Sequence, residues 1–221
     1  MNIWLFSSGD GDDNEHADEE LVSEFDTDRP LLTFIPSSAD DYEDYYDEFI
    51  DRFQRHAYCK FRLMDVDLTF SKRQLKQTLE SDLIYLSGGN TYYFLKHIRE
   101  SGFDHELREF IARGGILAGH SAGAIVLSPN INTAGFPEED RDDNDVGLVN
   151  MKAMNIFDFE VFPHYEDLHL YNNALREYTR QSGSLVYALE DGAAVHLLDY
   201  KTSFYGEVYA FFAGKKVKLE G

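Results

Sequence analysis

Apolar residues fall into short unbroken runs separated by stretches in which they recur three and four positions apart. The runs over residues 3–7, 31–35, 60–66 and 82–86, and a further one within 113–119, predict strands. Their lack of polar alternation suits strands covered on both faces. The intervening stretches 41–56, 72–81, 91–100 and 104–112 predict amphipathic helices. In the first of these, Tyr42, Tyr45, Tyr46, Phe49, Ile50 and Phe53 form the apolar stripe and the acids form the wet face. Strand–helix alternation predicts an α/β fold with a mainly parallel sheet and helices on both faces. After Ile156 the texture changes. Residues 157–163 read as a strand and 168–181 as a helix. The segments 185–189, 193–198, 207–213 and 216–219 read as short strands joined by turns, forming a C-terminal antiparallel edge on the same sheet.

Composition narrows the classes. The chain has 221 residues, within reach of one large domain, and we read residues 1–221 as a single unit. Forty-one acids against 20 bases give a formal charge of −21, which repels a nucleic-acid backbone and an anionic membrane. The acids cluster at 10–20, 40–51 and 138–145, and the first and third clusters read as solvated loops. A single cysteine, Cys59, excludes an internal disulfide and a cysteine-rich metal framework. The N-terminus lacks the basic start and apolar core of a secretory signal, and no apolar stretch is long enough for a membrane span. A cytoplasmic protein is the expectation. No metal constellation and no cofactor motif is found.

The most specific motif is Gly119-His120-Ser121-Ala122-Gly123, a G-x-S-x-G sequence between an apolar strand and an apolar run. Small neighbours let a serine sit in a strained turn with its hydroxyl clear of the sheet, and the N–H of Ala122 can face a developing oxyanion. The second motif, Ser87-Gly88-Gly89-Asn90-Thr91, ends another strand, where backbone donors meet ligands in open α/β sheets. Gly88 is a candidate second oxyanion donor. Gly89, Asn90 and Thr91 are candidate substrate contacts, with Asn90 or Thr91 also able to cap the helix that follows. Of the eight histidines, His164 ends a strand in Phe162-Pro163-His164-Tyr165 and is the candidate base. His120 should point away from the Ser121 hydroxyl, and His196 reads as a strand residue. The orienting carboxylate is Asp191 or Glu190, at another strand end.

Taken together, Leu5-Phe6-Ser7-Ser8, Gly88-Gly89-Asn90-Thr91, Gly119-His120-Ser121-Ala122-Gly123-Ala124, Phe162-Pro163-His164-Tyr165 and Leu189-Glu190-Asp191-Gly192 resemble the peptidase E family of serine peptidases, which includes aspartyl dipeptidases and the related cyanophycinases. The resemblance implies a fold like that of class I glutamine amidotransferases, Ser121 as nucleophile, His164 as base and oxyanion donors at Gly88 and Ala122. The family acid immediately precedes the glycine, which falls on Asp191, with Glu190 beside it. The resemblance also implies a short peptide substrate, with Asp-X dipeptides as its specific form. Arg176 and Arg180, sharing a helix face at i, i+4, are candidates to read the acidic side chain. Two rivals stand beside this reading. One is an α/β-hydrolase esterase using Ser121, His196 and Asp167 or Asp191. The other is a non-catalytic binding protein on the same scaffold. A monomer or a homodimer fits either.

Overall fold

The computed structural model describes residues 1–8, 13–40 and 42–219. Asp10–Asp12 of the first acidic cluster, and Asp41 at the expected start of a helix, lie outside them. In chain order the elements are β1 (Asn2–Phe6), α1 (Glu15–Ser23), β2 (Leu31–Ile35), α2 (Glu43–Gln54), β3 (Lys60–Leu63), α3 (Lys72–Thr78), β4 (Leu83–Leu86), α4 (Thr91–Ser101), α5 (Phe103–Ala112), β5 (Ile116–His120) and α6 (Ala122–Leu127). A 3-10 turn at Asn132–Gly135 precedes β6 (Glu160–Phe162), α7 (His169–Ser182), β7 (Val186–Leu189), β8 (Ala194–Leu198), β9 (Lys201–Tyr205), β10 (Val208–Phe212) and β11 (Lys215–Leu219).

Seven strands form one sheet in the order β3-β2-β4-β5-β1-β8-β9. The first five run parallel, and β8 and β9 add an antiparallel edge. The other late strands do not extend that sheet. They form a second sheet in the order β11-β10-β7-β6, parallel only between β6 and β7. The expected C-terminal edge is therefore divided between two sheets.

The unbroken apolar runs follow from burial on both faces. Along β1, Ile3 and Leu5 enter one core while Trp4 and Phe6 enter another, and all four are fully buried. The first core takes α4, α5 and α6 together with Val161, Leu189 and Val208 of the second sheet, and so joins the two sheets. The second core takes Ala17 and Leu21 of α1 and Phe49 and Phe53 of α2. A third, between α7 and the second sheet, holds Tyr165, Leu175 and Phe211. Each such side chain contributes about 1.5–3 kcal/mol by leaving water.

Helix ends follow local chemistry. Ser71 and Gln74 form a reciprocal capping box at α3, and the Asn90 side chain accepts from Tyr93 N at the start of α4. Helix α1 replaces what the sequence read as loop. Its buried Asp18 accepts from two guanidinium nitrogens of Arg52, Nε and Nη2, while Nη1 donates to the Tyr85 hydroxyl and the guanidinium stacks on Phe6. A charge bonded in this way can be buried. Strand β9, polar and half exposed, was likewise not anticipated.

Candidate active site

Five strands deliver their C-terminal ends to one place. They supply Ser7 after β1, Ser87 and Gly88 after β4, Ser121 after β5, His164 after β6 and Asp191 after β7. The first three come from the seven-stranded sheet and the last two from the four-stranded one.

Ser121 stands at φ 51°, ψ −113°, a backbone region that costs a residue with a side chain of order 1–3 kcal/mol. The turn is possible because its flanks are bare. A Cβ on Gly123 would lie 2.2 Å from the Leu86 carbonyl oxygen. The N–H of Gly123 is bonded to Ser87 O and those of Ala124 and Ile125 to Ser121 O, which locks the bend. His164 is also held at positive φ, 53°. Ser121 and His164 thus both occupy strained backbone, maintained by the packing of the two sheets.

The Ser121 hydroxyl lies 2.8 Å from His164 Nε2, and His164 Nδ1 lies 2.9 Å from Asp191 Oδ1. With Nδ1 donating to the carboxylate, Nε2 is free to accept the serine proton. The pair of candidate acids separates cleanly. Asp191 meets the imidazole, whereas Glu190 lies near Tyr165 and Tyr209, whose hydroxyl pKa values burial raises with a smaller contribution from the Glu190 charge. A Cβ on Gly88 would lie 3.5 Å from Ser121 Cβ, so the Gly88 backbone adjoins that serine. Among the described residues, no protein acceptor pairs with the N–H of Gly88 or of Ala122. Gly89 follows at φ 127°, where a Cβ would strike the Ser37 hydroxyl at 2.0 Å.

Ser7, noted in the sequence only within its tetrapeptide, is fully buried and clasps the site. Its hydroxyl accepts from His164 N at 2.7 Å and donates to Leu189 O at 3.0 Å, with Asp191 Oδ1 at 3.3 Å. A polar residue ending a run of four buried apolar ones was the available signal.

Two clefts of about 280 Å³ each flank the centre. One contains Ser121, His164, Gly89 and Thr91, with Thr133, Asp140 and Asp142. The other contains Gly88, His120, Tyr85, Arg52 and Arg55. His120 turns into this second cleft over the Tyr85 ring, away from the Ser121 hydroxyl. Burial, with Arg52 and His164 nearby, pushes its pKa down to about 3, so the ring is neutral at ordinary pH.

Other candidates lie elsewhere. Asn90 caps α4 and donates to Asp143 O. Arg176 donates to Gly214 O and Arg180 pairs with Glu177, and neither lines the cleft beside Ser121. The shared face of α7 that carries them meets the turn between β10 and β11, where Arg180 also packs against Gly214. His196 is stacked on Trp4 at 3.9 Å and bonded to Asn2 and Glu24, and Asp167 is paired with Lys216. The esterase constellation is not assembled. Among the described residues no group of three or more His, Cys, Asp or Glu could hold a metal ion, and no helix is long and apolar enough to cross a membrane.

A family model, peptidase family S51, matches residues 3–204. The uncharacterized peptidase YgaJ of Bacillus subtilis (strain 168) is 29% identical over 191 residues, 85% of this chain and 77% of YgaJ. The uncharacterized peptidase Lmo0363 of Listeria monocytogenes is 34% identical over 119 residues, 53% of this chain and 57% of that protein, so the match spans little more than half of that relative. A crystal structure from Listeria monocytogenes EGD-e, provisionally described as a peptidase E protein, superposes with a TM-score of 0.72 at 26% identity. It covers 93% of this chain and 98% of its own. The peptidase E resemblance and the α/β architecture agree with these matches, and the chain belongs to peptidase family S51.

Proposed function

We propose that this protein is a serine peptidase acting on short peptides, with Ser121, His164 and Asp191 as its catalytic residues. What carries the reading is the continuous hydrogen-bonded line from the Ser121 hydroxyl through both His164 nitrogens to Asp191, beside two backbone donors with no protein acceptor among the described residues. Ser121 Oγ attacks the scissile carbonyl while His164 Nε2 takes its proton. The N–H groups of Gly88 and Ala122 hold the oxyanion. Collapse breaks the C–N bond, and His164 returns the proton to the departing amine. Water then attacks the acyl-enzyme, giving its proton to His164, and the acid is released as Ser121 regains its hydrogen. Asp191 fixes the imidazole tautomer and steadies the imidazolium.

The Asp-X form of the substrate is not carried into this proposal, because Arg176 and Arg180 are engaged with Gly214 and Glu177. The test is covalent. A fluorophosphonate probe should label Ser121 in the native protein, and Ser121→Ala should lose both labelling and dipeptide hydrolysis while unfolding normally. Hydrolysis that survives in Ser121→Ala removes the serine from the mechanism. A native protein that neither labels nor turns over belongs to the binding-protein reading.

A further inference from the structure

Attack on a scissile carbonyl would leave the acyl residue attached to Ser121, in the cleft that contains that serine and His164. The residue beyond the bond needs another place. The second cleft is the other opening beside Gly88, and Ser121 is not among its lining residues. Three residues that line it hold donors that nothing in the protein accepts, among the described residues. Tyr85 is 4% exposed, and its hydroxyl accepts from Arg52 Nη1 at 3.2 Å, so its own hydrogen remains to be given. Burial pushes the Tyr85 pKa up to about 12 against the pull of Arg52, so that hydrogen stays on the oxygen. The His120 ring stacks on the Tyr85 ring with centroids 6.1 Å apart, and its Nδ1 lies 3.4 Å from where a Cβ on Gly88 would stand. A neutral imidazole carries one N–H, and neither His120 nitrogen has a hydrogen-bond partner among the described residues. Arg52 donates from Nε and Nη2 to Asp18 and from Nη1 to Tyr85, which leaves one N–H on each terminal nitrogen. Buried donors without acceptors are costly unless a ligand supplies them. Beside burial, the charges that act on the His120 ring, Arg52 and His164, are both positive. The other charged lining residues, Glu48, Asp51 and Arg55, come from α2 and its C-terminal end.

Resting on the serine-peptidase reading, we infer that this second cleft binds a carboxylate carried by the leaving residue of the substrate, held by Tyr85, His120 and Arg52. An ionised carboxylate only accepts, and its two oxygens take several donors at once. An ammonium in the same place would meet donors and an arginine. In a dipeptide the free C-terminus lies two bonds beyond the scissile nitrogen, and in a longer peptide a neutral amide takes its position. The cleft would therefore favour dipeptides over their extended or amidated forms.

Two sources supply that chemistry, the free C-terminus of the leaving residue and an acidic side chain on it. Four dipeptides separate them: leucyl-alanine, leucyl-alanine amide, leucyl-glutamic acid α-amide and aspartyl-alanine amide. Two readouts are taken, kcat/KM for hydrolysis and protection of Ser121 against the fluorophosphonate. A peptide with a carboxylate on its leaving residue should exceed leucyl-alanine amide by at least about tenfold in one readout or both, the expectation for a charge-assisted hydrogen bond. Leucyl-alanine ahead identifies the C-terminus, and the glutamic acid amide ahead identifies the side chain. Tyr85→Phe and His120→Leu each remove one donor and should shrink that ratio several-fold. Both peptides are compared on the same variant, so a general loss of folding or activity cancels from the ratio. A ratio near one in both readouts, or a ratio unmoved in both variants, overturns the carboxylate site while leaving the peptidase intact. Aspartyl-alanine amide as the best ligand does the same, because its carboxylate is on the acyl side. Absence of labelling and of hydrolysis overturns both.

Discussion

Replacing Ser7 with alanine tests the idea that one hydroxyl holds the two sheets in catalytic register. The native oxygen accepts from His164 N at 2.7 Å and donates to Leu189 O at 3.0 Å, in a residue with no exposure. Alanine removes both bonds and leaves the His164 N–H without its acceptor, while Leu189 O keeps the bond it accepts from Tyr165 N. A neutral hydrogen bond is worth about 0.5–1.5 kcal/mol net, and an orphaned buried group costs about 1–3 kcal/mol. Ser7→Ala should therefore lose about 2–3 kcal/mol in urea unfolding. For a chain of this size that lowers the melting temperature by roughly 4–12 °C. The activity effect is separate. His164 sits at φ 53° and would drift from its serine without the clasp. Misplacement of a reacting group by about 1 Å costs on the order of 10²-fold, so kcat should fall roughly 10–100-fold. KM should hold, because Ser7 is not part of either cleft. The assay is steady-state hydrolysis at a temperature where the variant is fully folded, alongside the rate of Ser121 labelling. If stability falls as expected but kcat stays within about twofold of the native value, Ser7 is a structural residue only. If stability is also unchanged, the hydrogen-bond accounting is wrong.

Three further outcomes are expected. Asp191→Asn should lower kcat by roughly 10²–10⁴-fold by favouring the wrong imidazole tautomer, whereas Glu190→Gln should leave it within a few-fold, so equal losses would contradict the assignment of the acid. His120 is held neutral down to about pH 3 while an unfolded histidine protonates near 6.5. Its contribution is therefore present above 6.5 and lost as pH falls toward 3, and unfolding free energies of His120→Gln should depend less steeply on pH in that window, by up to about one proton. The Cys59 thiol, pushed up to about 11 by burial, should resist iodoacetamide at pH 8 in the folded protein and react on unfolding, and rapid native labelling would show that it is accessible.

Much of the main sheet was legible because its strands are apolar on both faces and short runs such as Leu31–Ile35 have no other reading. What escaped was decided at long range. Helix α1 looked like a solvated loop because the partner that makes Asp18 burial tolerable, Arg52, is 34 residues away. The division of the late strands depends on β10 pairing with β7 rather than with β9, its neighbour in sequence, a choice that apolar patterning does not encode. The serine and histidine stood out because strand ends and small residues mark them locally. Glu190 and Asp191 are adjacent on one turn, and only the three-dimensional direction of each side chain separates them. Arg176 and Arg180 do share a helix face, but periodicity cannot name what that face meets. Asp140 and Asp142 were hidden in the opposite way, by lying among acids that have no comparable place.

In the proposed mechanism Ser121 rides on one sheet and His164 on the other, so turnover would depend on a seam as well as on the chemical groups beside it. A slip of the smaller sheet by a fraction of a side chain would then part Ser121 from His164 while leaving every helix and strand in place. Mild denaturant, or a molecule wedged into that joint, should extinguish hydrolysis well before spectroscopic signs of melting appear, because partial openings need less free energy than global ones. On the proposed mechanism, that boundary is a place where activity would be controlled without touching Ser121, His164 or Asp191 themselves.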